Sequence, residues 1–333
     1  MVDKAILDWL LEPEDPGVRY LALRDLCGKA HDDSELVKAR QAAHELGPIA
    51  HILKNMQPEG WWSKAGPGYG PKYRSTVWAI ILLAQLGASV KQDERVEQAC
   101  NYLLDHACAK GGYMSHNGSP GGTFDCLQGN LCWALTELGC EDPRLDEAYH
   151  WLAISQTGEG VAPKGTKDTP LRYYAYKCGP NFMCAANYEL PCAWGATKVL
   201  LALGAIPPAK QSAQTHKAID LAGDFFFSVE PTTAAWPDKE KINNTWWKFG
   251  FPVFYGADLL QVAEALVAVG HGNDPRLAST LEFIRSKQDV QGRWHLEHDY
   301  KDKTWGNYGK KGQPNKWVTL RALRVLKAVE LKP

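Results

Sequence analysis

The sequence has no apolar run long enough to cross a membrane. Its longest, residues 77–90, is interrupted by Gln85 and Ser89 and falls short of the ~20 residues that span a bilayer. It has no excess of charge of either sign. The 37 Lys and Arg stand against 38 Asp and Glu, which excludes whole-molecule attraction to nucleic acid and leaves room only for a local basic face. The first 13 residues are acidic and lack a basic region and a cleavage site, so no secretory leader is expected. A phosphate-cradling glycine loop and a nucleophile elbow are also absent. Nine cysteines, an odd number, are scattered rather than framed. With no export signal they point to a reducing, cytoplasmic location, where thiols or metal ligands are expected over disulfides.

What the sequence does have is apolar and aromatic material, at 45% and 11%, enough for a sizeable core. Five apolar segments follow one pattern: residues 18–28, 73–87, 125–139, 189–204 and 255–270. Each is apolar almost all round, as a buried helix is, and each ends at a glycine, the usual left-handed C-cap. A sixth, 316–329, lacks the glycine. Amphipathic segments at 33–55, 91–106, 143–156, 209–229 and 275–288 follow the first five, and 4–12 supplies one more. Their polar content marks them as outer helices. Repeated helix pairs stack as a solenoid or close into a ring. Six pairs suit an all-α, closed α/α toroid, a single domain over residues 1–333, with 4–12 sealing against the last inner helix.

Four outer segments run into a glycine-bearing turn: QPEGWW (57–62), AKGGY (109–113), QTGEGVA (156–162) and QDVQGRW (288–294). The last fits Q-x-x-x-G-x-W. The third has Ala162 where Trp is called for, and the first is one residue short between Gln and Gly. Glycine permits the tight turn, and the Trp can stack on the adjacent repeat. This QW turn with paired helices resembles the terpenoid cyclase and protein prenyltransferase superfamily, squalene–hopene cyclase-like α/α toroids. The sequence departs from that superfamily in its acids. The D-x-D-D run of the class II cyclases and a D-D-x-x-D run for diphosphate-bound magnesium are both missing.

The long connections (61–75, 113–124, 161–190, 236–255 and 294–317) all fall at the starts of the inner helices, on one rim. They hold 23 of the 35 aromatic residues and 15 Lys and Arg against 7 Asp and Glu. Helix N-termini add partial positive charge there. A rim pocket for a small anionic molecule with an apolar, isoprenoid or aromatic body is therefore expected. Arg74, Trp78, Asn130, Trp194, Trp247, Lys316 and Trp317 are its candidate binding residues.

Cys126 and Cys192 open neighbouring inner segments, and Cys178 and Cys184 lie just before Cys192. Thiolates are favoured at helix starts and suit zinc. Cys126, Cys178, Cys184 and Cys192 are thus the candidate zinc ligands. Four would make a closed structural site. Three, or two with Asp125 or a His, would leave a position for water or substrate. In the prenyltransferases a zinc is held by Asp, Cys and His near inner-helix starts. Asp125-Cys126 resembles their Asp-x-Cys only loosely, and no matching His is present in 255–270.

Asp125, Asp258 and Tyr255 are the catalytic candidates. An acid on an apolar helix needs a role or a partner, and for Asp258 the partners open are Arg74 and Lys316. The expected function is that of a zinc-dependent transferase, hydrolase or cyclase. The alternative is a non-catalytic ligand- or peptide-binding toroid with a structural Cys–zinc site. A third reading, a glycosidase or lyase, needs two carboxylates across the cavity, for which Asp125 and Asp258 are the only pair.

Overall fold

The computed structural model describes residues 2–233 and 243–330. Trp236, at the head of the fourth long connection, lies outside the described residues. Thirteen α-helices occur among the described residues. Six form an inner circle: α2 (Pro16–Asp25), α5 (Thr76–Leu86), α7 (Asp125–Leu138), α9 (Ala193–Ala205), α11 (Leu259–Ala268) and α13 (Lys316–Glu330). Outside them run α1 (Lys4–Leu10), α3 (Ser34–Glu45) continued by α4 (Pro48–Lys54), α6 (Glu94–Ala107), α8 (Pro143–Thr157), α10 (Ala213–Phe227) and α12 (Ala278–Ser286). The division follows from composition. Residues 76–84 of α5 are all buried, whereas α6 buries only the face carrying Val96, Ala99, Cys100, Leu103, Leu104 and Ala107.

The circle closes. Inner neighbours touch in order from α5 to α13, and α13 meets α2. A side chain at Gly17 of α2 would meet the Leu86 carbonyl of α5 at 3.6 Å. The glycine turns repeat the same message. Added side chains at Gly60, Gly112 and Gly292 would run into Gln98 of α6, Glu147 of α8 and Ile6 of α1. Each turn thus seats on the next outer helix, and the last seats on the first. All three glycines have positive φ, which a side chain would strain.

Trp62 and Trp294 are buried equivalents. Trp62 donates its indole N–H to the Ile52 carbonyl (2.8 Å), and its backbone N–H to the Thr76 hydroxyl (3.2 Å). Trp294 does the same with Ile284 (2.7 Å) and Thr319 (3.0 Å).

The structure changes several expected boundaries. The outer segment 33–55 is two helices, because Gly47 turns left-handed and Pro48 restarts the chain. Gly87 and Gly139 are left-handed C-caps, but Gly204 lies inside α9. Its lack of a side chain instead admits Ala268 of α11, which would lie 3.0 Å from a Cβ there. The fifth inner helix begins at Leu259 with Asp258 as its N-cap, so Tyr255 precedes the helix. Arg74 likewise precedes α5.

Candidate functional site

The starts of α7 and α9 are drawn together by two glycines. A side chain at Gly129 would lie 2.4 Å from the backbone of Lys198, and one at Gly195 would lie 3.2 Å from Asp125 Cβ. This close approach sets Asp125 and Cys126 of α7 beside Cys192, the N-cap of α9. A two-strand hairpin, Met183–Cys184 against Leu190–Pro191, brings Cys184 to the same place. These groups line a cavity of about 460 Å³ together with Tyr69, Lys72, Lys177, Tyr188, Trp194 and Tyr255. A volume of this size suits a small organic ligand.

Three sulfurs share the cavity, each in a different state. Cys184 and Cys192 are neighbours on the cavity wall. The Cys192 thiol, the backbone of Ala186 and Asn187 and the nearby Lys177 pull the Cys184 thiol down to about 6, against the opposing effect of burial. Cys184 and burial in turn push Cys192 up. Cys192 is the N-cap residue of α9 but makes no side-chain cap bond. Burial, with Cys184 and Asp125 nearby, pushes Cys126 up to about 12. Of the three, Cys184 is the thiol that ionises most readily.

Asp125 is the acid of the site. It is 4% exposed. Its Oδ1 accepts from Gln156 Nε2 (2.9 Å), and its Oδ2 is buried without a partner among the described residues. Burial pushes its pKa well above the ordinary carboxylate range, and the Gln156 bond offsets only part of that. The protonated form of Asp125 is therefore favoured relative to an ordinary carboxyl. The indole N–H of Trp194 is likewise buried without a partner among the described residues. The Lys72 ammonium lies 4.7 Å from the Tyr255 ring and 5.7 Å from the Tyr69 ring. Lys177 lies 5.8 Å from the Phe124 ring. Among the described residues neither lysine forms an ion pair with a carboxylate.

Other candidates lie elsewhere. Cys178 is buried in a separate cluster with Tyr113, Trp151 and Tyr173, and its thiol points to the Ala175 carbonyl (3.7 Å). Asp258 is committed. Its oxygens accept from the Gln261 N–H (2.8 Å) and the Gly250 N–H (3.1 Å), and both also accept from Arg321 (3.0 Å each). Its partner is Arg321, not Arg74 or Lys316. Arg74 donates to the Asp302 carbonyl, and Lys316 pairs with Glu12 at 2.8 Å. Asp125 and Asp258 therefore do not face each other across the rim cavity.

Trp78 is buried, donates to the Tyr69 carbonyl (2.7 Å) and props up the Tyr69 and Tyr255 rings. Asn130 donates to the Phe254 carbonyl (3.3 Å), holding the segment before α11. Trp247 donates to the Thr232 carbonyl, and Trp317 stacks on Phe251 (4.5 Å). Both lie outside the cavity wall. Tyr69, Lys72, Lys177 and Tyr188, which do line it, were signalled only collectively, by the basic and aromatic excess of the long connections. Among the described residues no three His, Cys, Asp or Glu side chains are gathered so as to hold a metal ion.

A second cavity, of about 350 Å³, opens at the other ends of the inner helices among Arg24, Asp25, Glu137, Glu264, Arg321 and Arg324. Between the two lies Lys198, fully buried and hydrogen-bonded to Gln261. Burial pulls its amine down to about 7.

No family model matches the chain, and no curated protein is similar to it in sequence. Three solved structures show the range of likeness. A family 76 glycoside hydrolase (mannosidase) from Bacteroides thetaiotaomicron is 11% identical, with a TM-score of 0.42 over 95% of this chain and 85% of that one. The type II terpene cyclase MstE from Scytonema is 14% identical, with a TM-score of 0.35 over 89% and 98%. A family 88 glycosyl hydrolase from Bacteroides vulgatus is 8% identical, with a TM-score of 0.52 over 98% and 97%. At that identity the likeness concerns the fold and not the chemistry: over nearly its whole length this chain is an α/α toroid.

Proposed function

We propose that the chain is a thiol-dependent enzyme acting at the rim cavity on a small anionic substrate with an aromatic or apolar body. The observation that carries this reading is the setting of Cys184. Its sulfur lies beside Cys192 in a cavity that also holds a buried acid and two lysines that have no carboxylate partner among the described residues, and its thiol is lowered where the others are raised. A nucleophile with a lowered pKa and an acid with a raised one are the pair that group transfer needs. Cys184 attacks an electrophilic carbon, and an S–C bond forms as the bond to the leaving group breaks. The leaving group departs with the electron pair and takes the proton of Asp125. Lys72 and Lys177 hold the anionic end, and Tyr69 and Tyr255 line the apolar body. The Trp194 N–H is a donor for a substrate oxygen.

A second reading gives the same sulfurs to zinc, with Cys126, Cys184 and Cys192 as ligands and Asp125 beside them. The shared wall of three thiols favours it. Their present spacing does not form a ligand set, so no step is routed through a metal. A non-catalytic binding toroid is the remaining alternative.

Iodoacetamide labelling against pH separates these. Cys184 is expected to label with a midpoint near 6, tenfold or more faster at neutral pH than Cys126 (about tenfold per unit of thiolate deficit). Thermal-shift screening with aromatic carboxylates, phosphates and prenyl diphosphates should find stabilisation that Lys72→Ala and Lys177→Ala reduce. Slow labelling of Cys184 with one equivalent of zinc in chelator-free protein, lost in Cys192→Ser, would replace the first reading by the second.

A further inference from the structure

Cys184 and Cys192 stand on opposite strands of one short hairpin. Cys184 pairs with Leu190 across the ladder, and the Cys192 N–H donates to the Phe182 carbonyl at 2.9 Å. The rungs 184–190 and 182–192 put both side chains on one face of the ladder, and both line the solvent-connected cavity. The hairpin is short and locally tensioned. Asn181, Phe182, Tyr188 and Glu189 all have positive φ, a conformation that costs non-glycine residues energy. We infer that Cys184 and Cys192 are a modification site: a peroxide converts them to a reversible disulfide that shuts the thiol site. Only the consequence for activity rests on the proposed catalytic reading. The bond itself rests on the geometry.

The chemistry balances with one peroxide. The Cys184 sulfur attacks one peroxide oxygen, the O–O bond breaks, and a sulfenic acid forms as hydroxide leaves and takes up a proton. The Cys192 sulfur then attacks the sulfenic sulfur. The S–O bond breaks, and water leaves with the Cys192 proton. Two thiols are oxidised by two electrons, and the peroxide is reduced to two waters. The two sulfurs, on one face of the short ladder, close to ~2.05 Å in the bond. The disulfide removes the nucleophile and ties the hairpin to the α9 cap, and an external dithiol restores both.

The chain carries its own control. Cys100 and Cys140 are a second pair of interacting thiols, with Cys100 buried and Cys140 partly exposed, and serve as the comparison in the same sample. Cys178, also close in sequence, is buried and turned to a carbonyl.

The test is peroxide titration of the full-length reduced protein, followed by mass mapping. Cys178, Cys184 and Cys192 share one tryptic fragment, because no Lys or Arg lies between Lys177 and Lys198. Further cleavage after Glu189 separates Cys184 from Cys192. The expected result is that the two halves stay joined until dithiothreitol is added. Halves that separate without reductant, with Cys184 carried on to sulfinic acid, overturn the inference. So does a link from Cys184 to Cys126 or Cys178, or a bound metal that shields both sulfurs. The link is read without substrate, so its failure is distinct from failure of the catalytic reading, which is judged by alkylation and ligand binding.

Discussion

At the scale of single residues, two buried ionisable groups set opposite pH dependences. Asp125 has its pKa raised in the folded state by burial. The unfolded chain loses this proton near pH 4 and the folded chain holds it, so stability falls as pH rises through the unfolded value and stays lower above the folded one. Asp125→Asn keeps the acceptor for Gln156 and removes the titration. It is expected to raise stability at pH 7 by on the order of 1 kcal/mol, and to abolish turnover of any substrate that needs the acid. Urea melts across pH read the first effect, and a folded, inactive variant the second. Lys198 is the converse case. Its amine is pulled down to about 7 by burial, while the unfolded amine titrates near 10. Between those values the unfolded chain binds more protons, so the protein should gain stability from pH 7 towards pH 10. Lys198→Met should flatten that rise and be more stable at pH 7 by roughly 1–3 kcal/mol. A variant that keeps the wild-type slope would show that another group titrates in this range. Cys126 and Cys192 were legible as helix-start thiols from their spacing alone. The commitment of Asp258 to Arg321 was not, because the partners are 63 positions apart and on different inner helices.

At the scale of elements, the contact between α7 and α9 decides whether the site exists. Gly129 gives no sign of this in the sequence, where it reads as a weak point in a helix. In the fold it is the point at which α9 touches α7, with no room for a methyl group: a Cβ would lie 2.4 Å from the Lys198 backbone. Backbone cannot rotate away as a side chain can, so Gly129→Ala must push the helices apart. The expected cost is about 1–3 kcal/mol, and the separation should weaken the Cys184–Cys192 contact by moving the α9 cap. A rise in the Cys184 labelling midpoint towards that of an ordinary thiol would register this directly, alongside the urea melt. An unchanged midpoint would mean that the hairpin, not the helix pair, positions the sulfurs. Periodicity was sufficient to read six inner and six outer elements, since all-round apolar segments are unmistakable. Element ends were less legible, for identifiable reasons. Gly47-Pro48 interrupts a pattern that is amphipathic on both sides, and Asp258 caps a helix that apolar periodicity alone would begin at Tyr255.

At the scale of the whole molecule, closure of the ring concentrates charge at its centre, where Arg321 of α13 bridges Asp258 and Glu264 of α11. Every N–H of this guanidinium is used: Nε and Nη2 on Glu264 (2.9 and 2.8 Å), Nη1 and Nη2 on Asp258, and Nη1 also on the Gly250 carbonyl (2.7 Å). One side chain thus joins the last inner helix to the fifth and to the loop before it, as the turn at Gly292 joins the last repeat to α1. Burial disfavours the Asp258 carboxylate, and Arg321 more than reverses this, so its folded pKa lies below the ordinary value. The stabilisation is present above the unfolded pKa and is lost as pH falls through the folded one. Arg321→Leu fills similar space but leaves two acids facing each other without a cation. Breaking a buried pair in this way costs about 3–5 kcal/mol, and the loss should be greatest at neutral pH. Lowering the pH towards about 5 should recover part of it, as Asp258 takes up a proton in the variant. Adding Asp258→Asn to Arg321→Leu should recover a comparable part at pH 7. If this bridge is the weakest joint of the ring, hydrogen exchange in Arg321→Leu should quicken first in α13 and α11, with α5 to α9 still protected. Uniform loss of protection around the ring would instead make the toroid one cooperative unit, with no weaker joint between α11 and α13.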